Sequence, residues 1–505
     1  MFEQKLNFKL TKNLNARNVG LACFIIVLLL NFSCLFNQPY WDDILGLHNQ
    51  AIFLADNHFD IAKLWGPGQN YSDGGPNIYR LGMMPFFYGI LYSIFTPEYV
   101  HLIGHLFNIA CLSIAFTFFF LILRKYISPW SALLWCIAAL CEPVMAGRTA
   151  ELGQESPLIA LAAAAIYCIA FRRISAGLIF ILIALFIKPT AGLLAFAAVA
   201  WLFAGGMMPS RFFRERFLRG KWKQYLTGSI VVSSITVSML AYSSITQEPY
   251  ESPPSLIFLL NKGLFTFSKL LPIQAILLIG MIIIAGAAVL RLKTRRVLWK
   301  DWFSFYLLIF IAGFWLAYIL LPSPLPRYSG FAVFPTCVFI ALNIRRRYCN
   351  ALAAGAAILL GIATMDGKFY PAMHCRSGEY LERSREYIAD LRSNAAICRV
   401  LEEKAFLNPI VAKWPFVQML TMPKLGYVTH PIPCVYAVGI LPKYTSAKPF
   451  TAFKNMPDNT LYIYASNSFE AWNRFGPSLQ PSSNDQIVGA DSTLDGLLLV
   501  YRKKK

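Results

Sequence analysis

Two adjacent carboxylates, Asp42-Asp43, follow directly on Tyr40-Trp41. In such a pair one carboxylate can take a proton from an acceptor hydroxyl while the other orients a partner or a metal ion. The competing reading is a solvated turn or a helix N-cap, where Asp is also favoured. A second acidic site is formed by Glu151 and Glu155, with Arg148 before them and Pro157 after. Glu142-Pro143 lies just upstream inside an apolar run, where a carboxylate is costly unless it is paired or faces a cavity. Two cations stand apart from the basic clusters: Lys188, in Ile187-Lys188-Pro189-Thr190, and Arg327-Tyr328, after the run Pro322 to Pro326. Arg grips a phosphate with two donors and Lys acts as a point charge, so both suit a phosphate-bearing ligand. Snorkelling to a membrane interface is the alternative for each. His101 and His105 share a helix face at metal-ligand spacing, but no Glu accompanies them as in H-E-x-x-H, and a structural or lipid-facing role is the expectation. The chain has no glycine-rich phosphate loop, nucleophile elbow or C-x-x-C motif, which sets aside cytoplasmic nucleotide hydrolysis.

The elements that must position these residues are membrane spans. Apolar residues make up 57% of the chain, charged residues only 14%, and mean hydropathy is +0.51, outside the range of a soluble domain. Six basic clusters fall at alternate ends of the apolar stretches: Lys5 to Arg17, Arg124-Lys125, Arg172-Arg173, Arg211 to Lys223, Arg291 to Lys300 and Arg345-Arg346-Arg347. Counting Glu3 and Asp301 at their edges, they hold 22 basic residues against three acids, and the intervening loops hold 11 acids against 7 basic residues. Lys and Arg near span ends are retained in the cytoplasm, so the clusters face in and the candidate acids face out. An anionic leaflet accounts for the net charge of +20. Nucleic-acid binding is excluded as a reading, since no groove-reading motif accompanies the charge.

Eleven spans follow from this rhythm, at 19–36, 100–123, 129–147, 157–171, 174–188, 190–208, 225–246, 270–290, 302–321, 329–344 and 350–365. The first run, Val19 to Phe36, leads into Phe36-Asn37-Gln38-Pro39-Tyr40, which is no small-x-small cleavage site, so it reads as a retained span. The outer segment 37–99 is expected to carry one or two interfacial helices, with Trp41 and Trp65 at headgroup depth. A second outer loop spans 247–269. The chain thus divides into a transmembrane module, 1–365, and an extracytoplasmic domain, 366–505. In the latter, Glu379 to Ala405 has helical periodicity, and Ile410 to Ala412, Leu461 to Ala465 and Leu497 to Tyr501 read as short buried strands of a small α/β fold. Eight of the 11 cysteines lie in or beside apolar spans; Cys375, Cys398 and Cys434 lie in the tail, where an oxidising compartment would allow Cys375 to pair with Cys398.

Taken in order on one face, these motifs resemble the C-type superfamily of membrane glycosyltransferases, nearest to its protein O-mannosyltransferase and lipid A aminoarabinose transferase branch. Tyr40-Trp41-Asp42-Asp43 resembles the acidic pair of that family's first outer loop, and Arg148 to Pro157 its second acidic site. Lys188-Pro189-Thr190 resembles its lysine turn, and Pro326-Arg327-Tyr328 with Pro335 its late Arg-Tyr motif. Asp-Asp stands where Asp-Glu is usual, Glu155 where Asp is usual, and the tail does not match the mannosyltransferases' β-trefoil. The resemblance implies a polyprenyl-phosphate-linked sugar donor, a hydroxyl acceptor on a lipid, glycan or protein, and inversion at the anomeric carbon. It implies Asp42 as base with Asp43 beside it, and Lys188, Arg327 and Tyr328 at the donor phosphate. The resemblance assigns no cofactor, and a divalent cation stays open. The setting implied is a bacterial inner membrane, with the N-terminus in the cytoplasm and the C-terminus outside. A flippase or transporter without covalent chemistry is the competing class; such proteins usually show related halves or charge along a central path.

Overall fold

The computed structural model describes residues 16–40, 47–61, 82–207, 218, 220–246, 299–320, 330–344, 346–365, 387–404, 410–412, 416–432, 434–436, 448–449, 460–465, 481–493 and 496–503. Helices α1 (Ala16–Leu30), α2 (Asn49–Asp56) and α3 (Met83–Ile94) lead into the long α4 (Pro97–Arg124). Then come α5 (Pro129–Leu140), α6 (Pro143–Arg148), α7 (Glu155–Ala170), α8 (Ile174–Leu185), α9 (Gly192–Met207) and α10 (Trp222–Thr246). The helical part closes with α11 (Trp299–Leu320), α12 (Gly330–Asn343) and α13 (Arg346–Met365). Helices occupy every expected span except 270–290, which lies outside the described residues together with the loop 247–269. Among the described residues, three stretches are long and apolar enough to cross a membrane: Pro97–Arg124, Pro189–Gly206 and Asp301–Tyr318.

Prolines decide where several of these helices begin, because proline fits the first turn of a helix and biases the residue before it to extended backbone. Thr96, Ser128 and Glu142 are all extended and all stand just before a helix that opens with Pro. Ser128 caps α5 by accepting from the Ser131 amide at 3.1 Å, and Glu142 Oε2 caps α6 by accepting from the Met145 amide at 2.9 Å. This corrects the expected span 129–147. It is two helices, broken at Glu142-Pro143, and the costly carboxylate is satisfied as a cap.

The bundle is built around α4. Phe116 and Phe119 on α4 meet Phe334 on α12, with ring centroids 4.9 and 4.8 Å apart. The alanine-rich α7 packs closely against α4 and α8, as small side chains allow. Arg172 reverses the chain between α7 and α8 in a left-handed conformation, φ 63°. Outward, Leu21, Ile25 and Leu29 on α1, Ile179 on α8, Leu316 on α11 and Ile358 on α13 are exposed, Leu29 to 69%. So much aliphatic surface on so many helices is unfavourable in water and favourable in hydrocarbon.

The tail forms a mixed sheet. Its helix α14 (Tyr387–Lys404) is followed by β1 (Ile410–Ala412), α15 (Phe416–Thr421), β2 (Cys434–Tyr436), β3 (Lys448–Pro449), β4 (Leu461–Ala465), β5 (Gln486–Thr493) and β6 (Gly496–Arg502). The order is β3-β2-β1-β4-β6-β5, with β1, β2, β3 and β4 parallel and β6 antiparallel to both β4 and β5. Ile410 pairs with Cys434 on one side and Leu461 on the other, and all three residues of β1 are buried, as a central strand requires. Cys398 is buried on α14, and Cys375 lies outside the described residues. The turn after α15 docks on the helical part. The Gln38 side chain donates to the Gly426 carbonyl at 3.1 Å, Tyr427 Oη donates to the Pro39 carbonyl at 2.7 Å, and Lys424 pairs with Asp56.

Candidate functional site

Charge collects at the end of the bundle where α4 begins. Arg148 ends α6, Glu151 sits in the connection to α7, Glu155 opens α7, and Lys188 lies in the break between α8 and α9. Lys188 precedes Pro189 and is extended, φ −156° and ψ 129°, so the helix must stop there and release the side chain sideways. Its Nζ lies 2.8 Å from Glu155 Oε1. Arg148 forms an ion pair with Glu151. Arg148, Glu151 and Glu155 are all buried, while Lys188 retains 17% side-chain exposure. The four residues form two cation–carboxylate pairs of zero net charge, the condition under which ionised groups tolerate such burial. The sequence reading places Lys188 and Glu155 in separate sites; the structure joins them.

Gly153 is the residue that lets the two carboxylates share this loop. A Cβ there would stand 2.9 Å from Glu155 Oε2 and 3.0 Å from Glu151 Cδ. Three successive carbonyls of the loop are held from below. The Asn108 amide donates to the carbonyls of Glu151 at 2.7 Å and Gly153 at 3.3 Å. The ring of His48 lies 3.0 Å from the Leu152 carbonyl through Nε2 and 2.9 Å from Tyr92 Oη through Nδ1. A carbonyl only accepts, so Nε2 carries the proton and Nδ1 accepts from the tyrosine. Burial pushes the His48 pKa down to about 4; the Leu152 carbonyl opposes that shift and neighbouring His105 adds to it. The ring therefore stays neutral at physiological pH. Nothing in the sequence marks His48, because its main partner is a backbone carbonyl contributed from a distant segment.

Asp42, Asp43, Arg327 and Tyr328 lie outside the described residues, as do Trp41 and Trp65. The described residues that border these segments converge on α6. The Tyr40 ring lies 5.1 Å from that of Tyr387, whose hydroxyl donates to the Gly147 carbonyl at 3.4 Å. Gly330, which opens α12, lies against Val144, Met145 and Arg148. His101 and His105, both on α4, are buried in the protein; His105 Nε2 donates to the Asn37 carbonyl at 3.2 Å. No group of three His, Cys, Asp or Glu arranged to hold a metal occurs among the described residues. Chemically, the site offers carboxylates to accept protons and cations to hold an anion, at the edge of an apolar bundle.

No family model matches the chain, and no curated protein matches it. It is similar to the crystal structure of ArnT from Cupriavidus metallidurans in the apo state, at 13% identity over 96% of this chain and 98% of that one, with a TM-score of 0.49. It is also similar to ArnT from Cupriavidus metallidurans bound to undecaprenyl phosphate, at 12% identity over 95% of this chain and 97% of that one, with a TM-score of 0.47.

Proposed function

We propose that this chain is an integral membrane glycosyltransferase that moves a monosaccharide from a polyprenyl-phosphate donor to a hydroxyl of a lipid, glycan or protein acceptor. The reaction takes place at the extracytoplasmic face of a bacterial inner membrane and inverts the anomeric carbon. The observation that carries the reading is the gathering of Arg148, Glu151, Glu155 and Lys188, as buried ion pairs, at one end of the helical bundle. A transport path would instead spread polar groups along the membrane normal.

In this reading Asp42 takes the proton of the acceptor hydroxyl as its oxygen attacks the anomeric carbon, and the bond to the phosphate oxygen breaks. Asp43 points elsewhere, since neighbouring residues on a helix or strand do not face the same way. Lys188 and Arg327 stabilise the charge that develops on the departing phosphate, which is worth more where water is scarce, and Tyr328 positions the sugar or its phosphate. Glu155 holds Lys188 in place, and Arg148 holds Glu151. The test is release of polyprenyl phosphate from a labelled polyprenyl-phosphate sugar by the purified protein. Asp42→Asn keeps the shape and removes the basicity, so turnover should fall by about 10²–10⁴ while donor binding persists. Donor movement between leaflets without phosphate release would replace this reading with a flippase. No effect at either Asp42 or Asp43 would remove the first outer loop from the mechanism.

A further inference from the structure

His101, His105 and Asn108 stand at i, i+4 and i+7 on α4 and so share one face of that helix. Each touches a different segment of chain. His105 donates to the Asn37 carbonyl, in the segment that leads to Asp42-Asp43. Asn108 donates to the carbonyls of Glu151 and Gly153, on either side of Leu152, whose carbonyl is held by His48. The His101 ring lies beneath Gly426 of the tail turn, close enough that a Cβ on that residue would stand 2.7 Å from its Cε1. That turn in turn holds Gln38 and, through Tyr427, Pro39. Backbone carbonyls buried at a membrane boundary are costly without donors, and here buried side chains supply them. Helix α4 is also anchored in the core, where Leu112, Phe116, Phe119 and Phe120 are buried below this face.

We infer that this polar face of α4, completed by His48, is a positioning bar that sets the segment leading to the first acidic pair and the loop of the second acidic site at a fixed separation, His105 registering the first at Asn37 and Asn108 the second at Glu151 and Gly153. The inference rests on the proposed transferase reading for its purpose, though not for its geometry. None of these residues touches substrate; each acts through the backbone of a loop. A helix is suited to this role because its residues keep their spacing when loops would drift, and a misplacement of about 1 Å at a reacting centre can cost a hundredfold in rate.

Hydrogen–deuterium exchange on the full-length protein in lipid nanodiscs, read on peptides covering 149–156 and 31–40, tests the geometry directly. Asn108→Ala should speed exchange in 149–156 by about fivefold to thirtyfold, the equivalent of one or two lost neutral hydrogen bonds, and leave 31–40 unchanged. His105→Ala should do the reverse, and His105→Gln, which keeps an N–H donor, should restore the wild-type rates. Where Asn108→Ala fails to fold, Asn108→Asp keeps the shape and sets a carboxylate against the two carbonyls, and the same local acceleration is expected. In the transferase assay the two sites should separate: Asn108→Ala raising donor KM, and His105→Ala lowering kcat. Uniform acceleration of both peptides, or of neither, or failure of His105→Gln to rescue, overturns the positioning bar. Loop-specific exchange in a protein with no transferase activity leaves the bar standing and removes the transferase.

Discussion

Lys188 and Glu155 offer the sharpest test, because their pairing has one consequence for stability and another for function. The pair is 2.8 Å apart, with side-chain exposures of 17% and 7%. Removing one partner of a buried pair leaves an uncompensated charge, at a cost of about 3–5 kcal/mol. Lys188→Met does this to Glu155 and should fall in that range. Glu155→Gln should cost less, since the partly exposed lysine can turn its ammonium toward water. The double variant removes both charges of this pair at similar volume, so it should recover most of the loss. For a chain of this length about 1–2 °C accompanies each kcal/mol, so Lys188→Met should melt about 3–10 °C lower in detergent and the double variant should largely return. Function should not return with it. In the proposed transferase, donor use depends on the Lys188 charge, and a lost charge-assisted phosphate contact costs about 1.5–3 kcal/mol, or roughly tenfold or more in kcat/KM. If all three variants melt with the wild type, the pair is solvated and the buried network is misjudged. If the double variant recovers donor turnover as well as stability, Lys188 is a structural cation and its phosphate role is wrong.

Three other outcomes follow from the same contacts. His48 is neutral in the fold with a pKa of about 4, against an ordinary value near 6.5, so its contribution is complete above about pH 6.5 and is lost as pH falls toward 4. Through His48 alone, acidification over that window should lower stability by about 3 kcal/mol in thermal melts, and His48→Gln should reduce the dependence by about that amount. Gly426 has φ +81° with His101 beneath it, whereas Gly220 has φ +74° with open space around it. Gly426→Ala should therefore destabilise the docked turn by about 1–3 kcal/mol and Gly220→Ala by only about 1 kcal/mol; equal melting temperatures would mean the turn is not seated on α4. An alkaline phosphatase fusion after Lys505 should be active and one after Arg173 inactive, and the opposite result would invert the assignment of faces.

Much of the helical layout could be read from the chain because hydropathy and proline act locally. Lys188-Pro189 announces a break between two apolar stretches, and the break is there. Glu142-Pro143 announces one as clearly, yet reading 129–147 as a single span ignored it; the carboxylate and the proline together favour a cap over a continuous helix. The tail strands Ile410 to Ala412 and Leu461 to Ala465 were legible from short β-branched and aromatic runs, but their parallel pairing through β1 was not, since register and order depend on contacts distant in sequence. The ion pair of Lys188 with Glu155 was hidden for the same reason. Each residue has a local pattern, but their meeting depends on how α7 packs against the α8–α9 break.

The histidines show where such reading stops. Spacing puts His101 and His105 on one helix face, and the choice between metal, lipid and packing then depends on what lies opposite. What lies opposite is backbone: the Asn37 carbonyl for His105, and the glycine turn at Gly426 for His101. A carbonyl has the same chemistry in every residue, so a side chain that satisfies one leaves no trace at the accepting position. Polar groups buried near a membrane boundary must nevertheless find partners, because the surroundings cannot supply them. His105 and the Asn108 amide donate to backbone carbonyls, and only the fold says which ones. Here α4 holds the loop ahead of the first acidic pair and the loop that carries the second acidic site, so one rigid helix ties together segments that no local pattern connects.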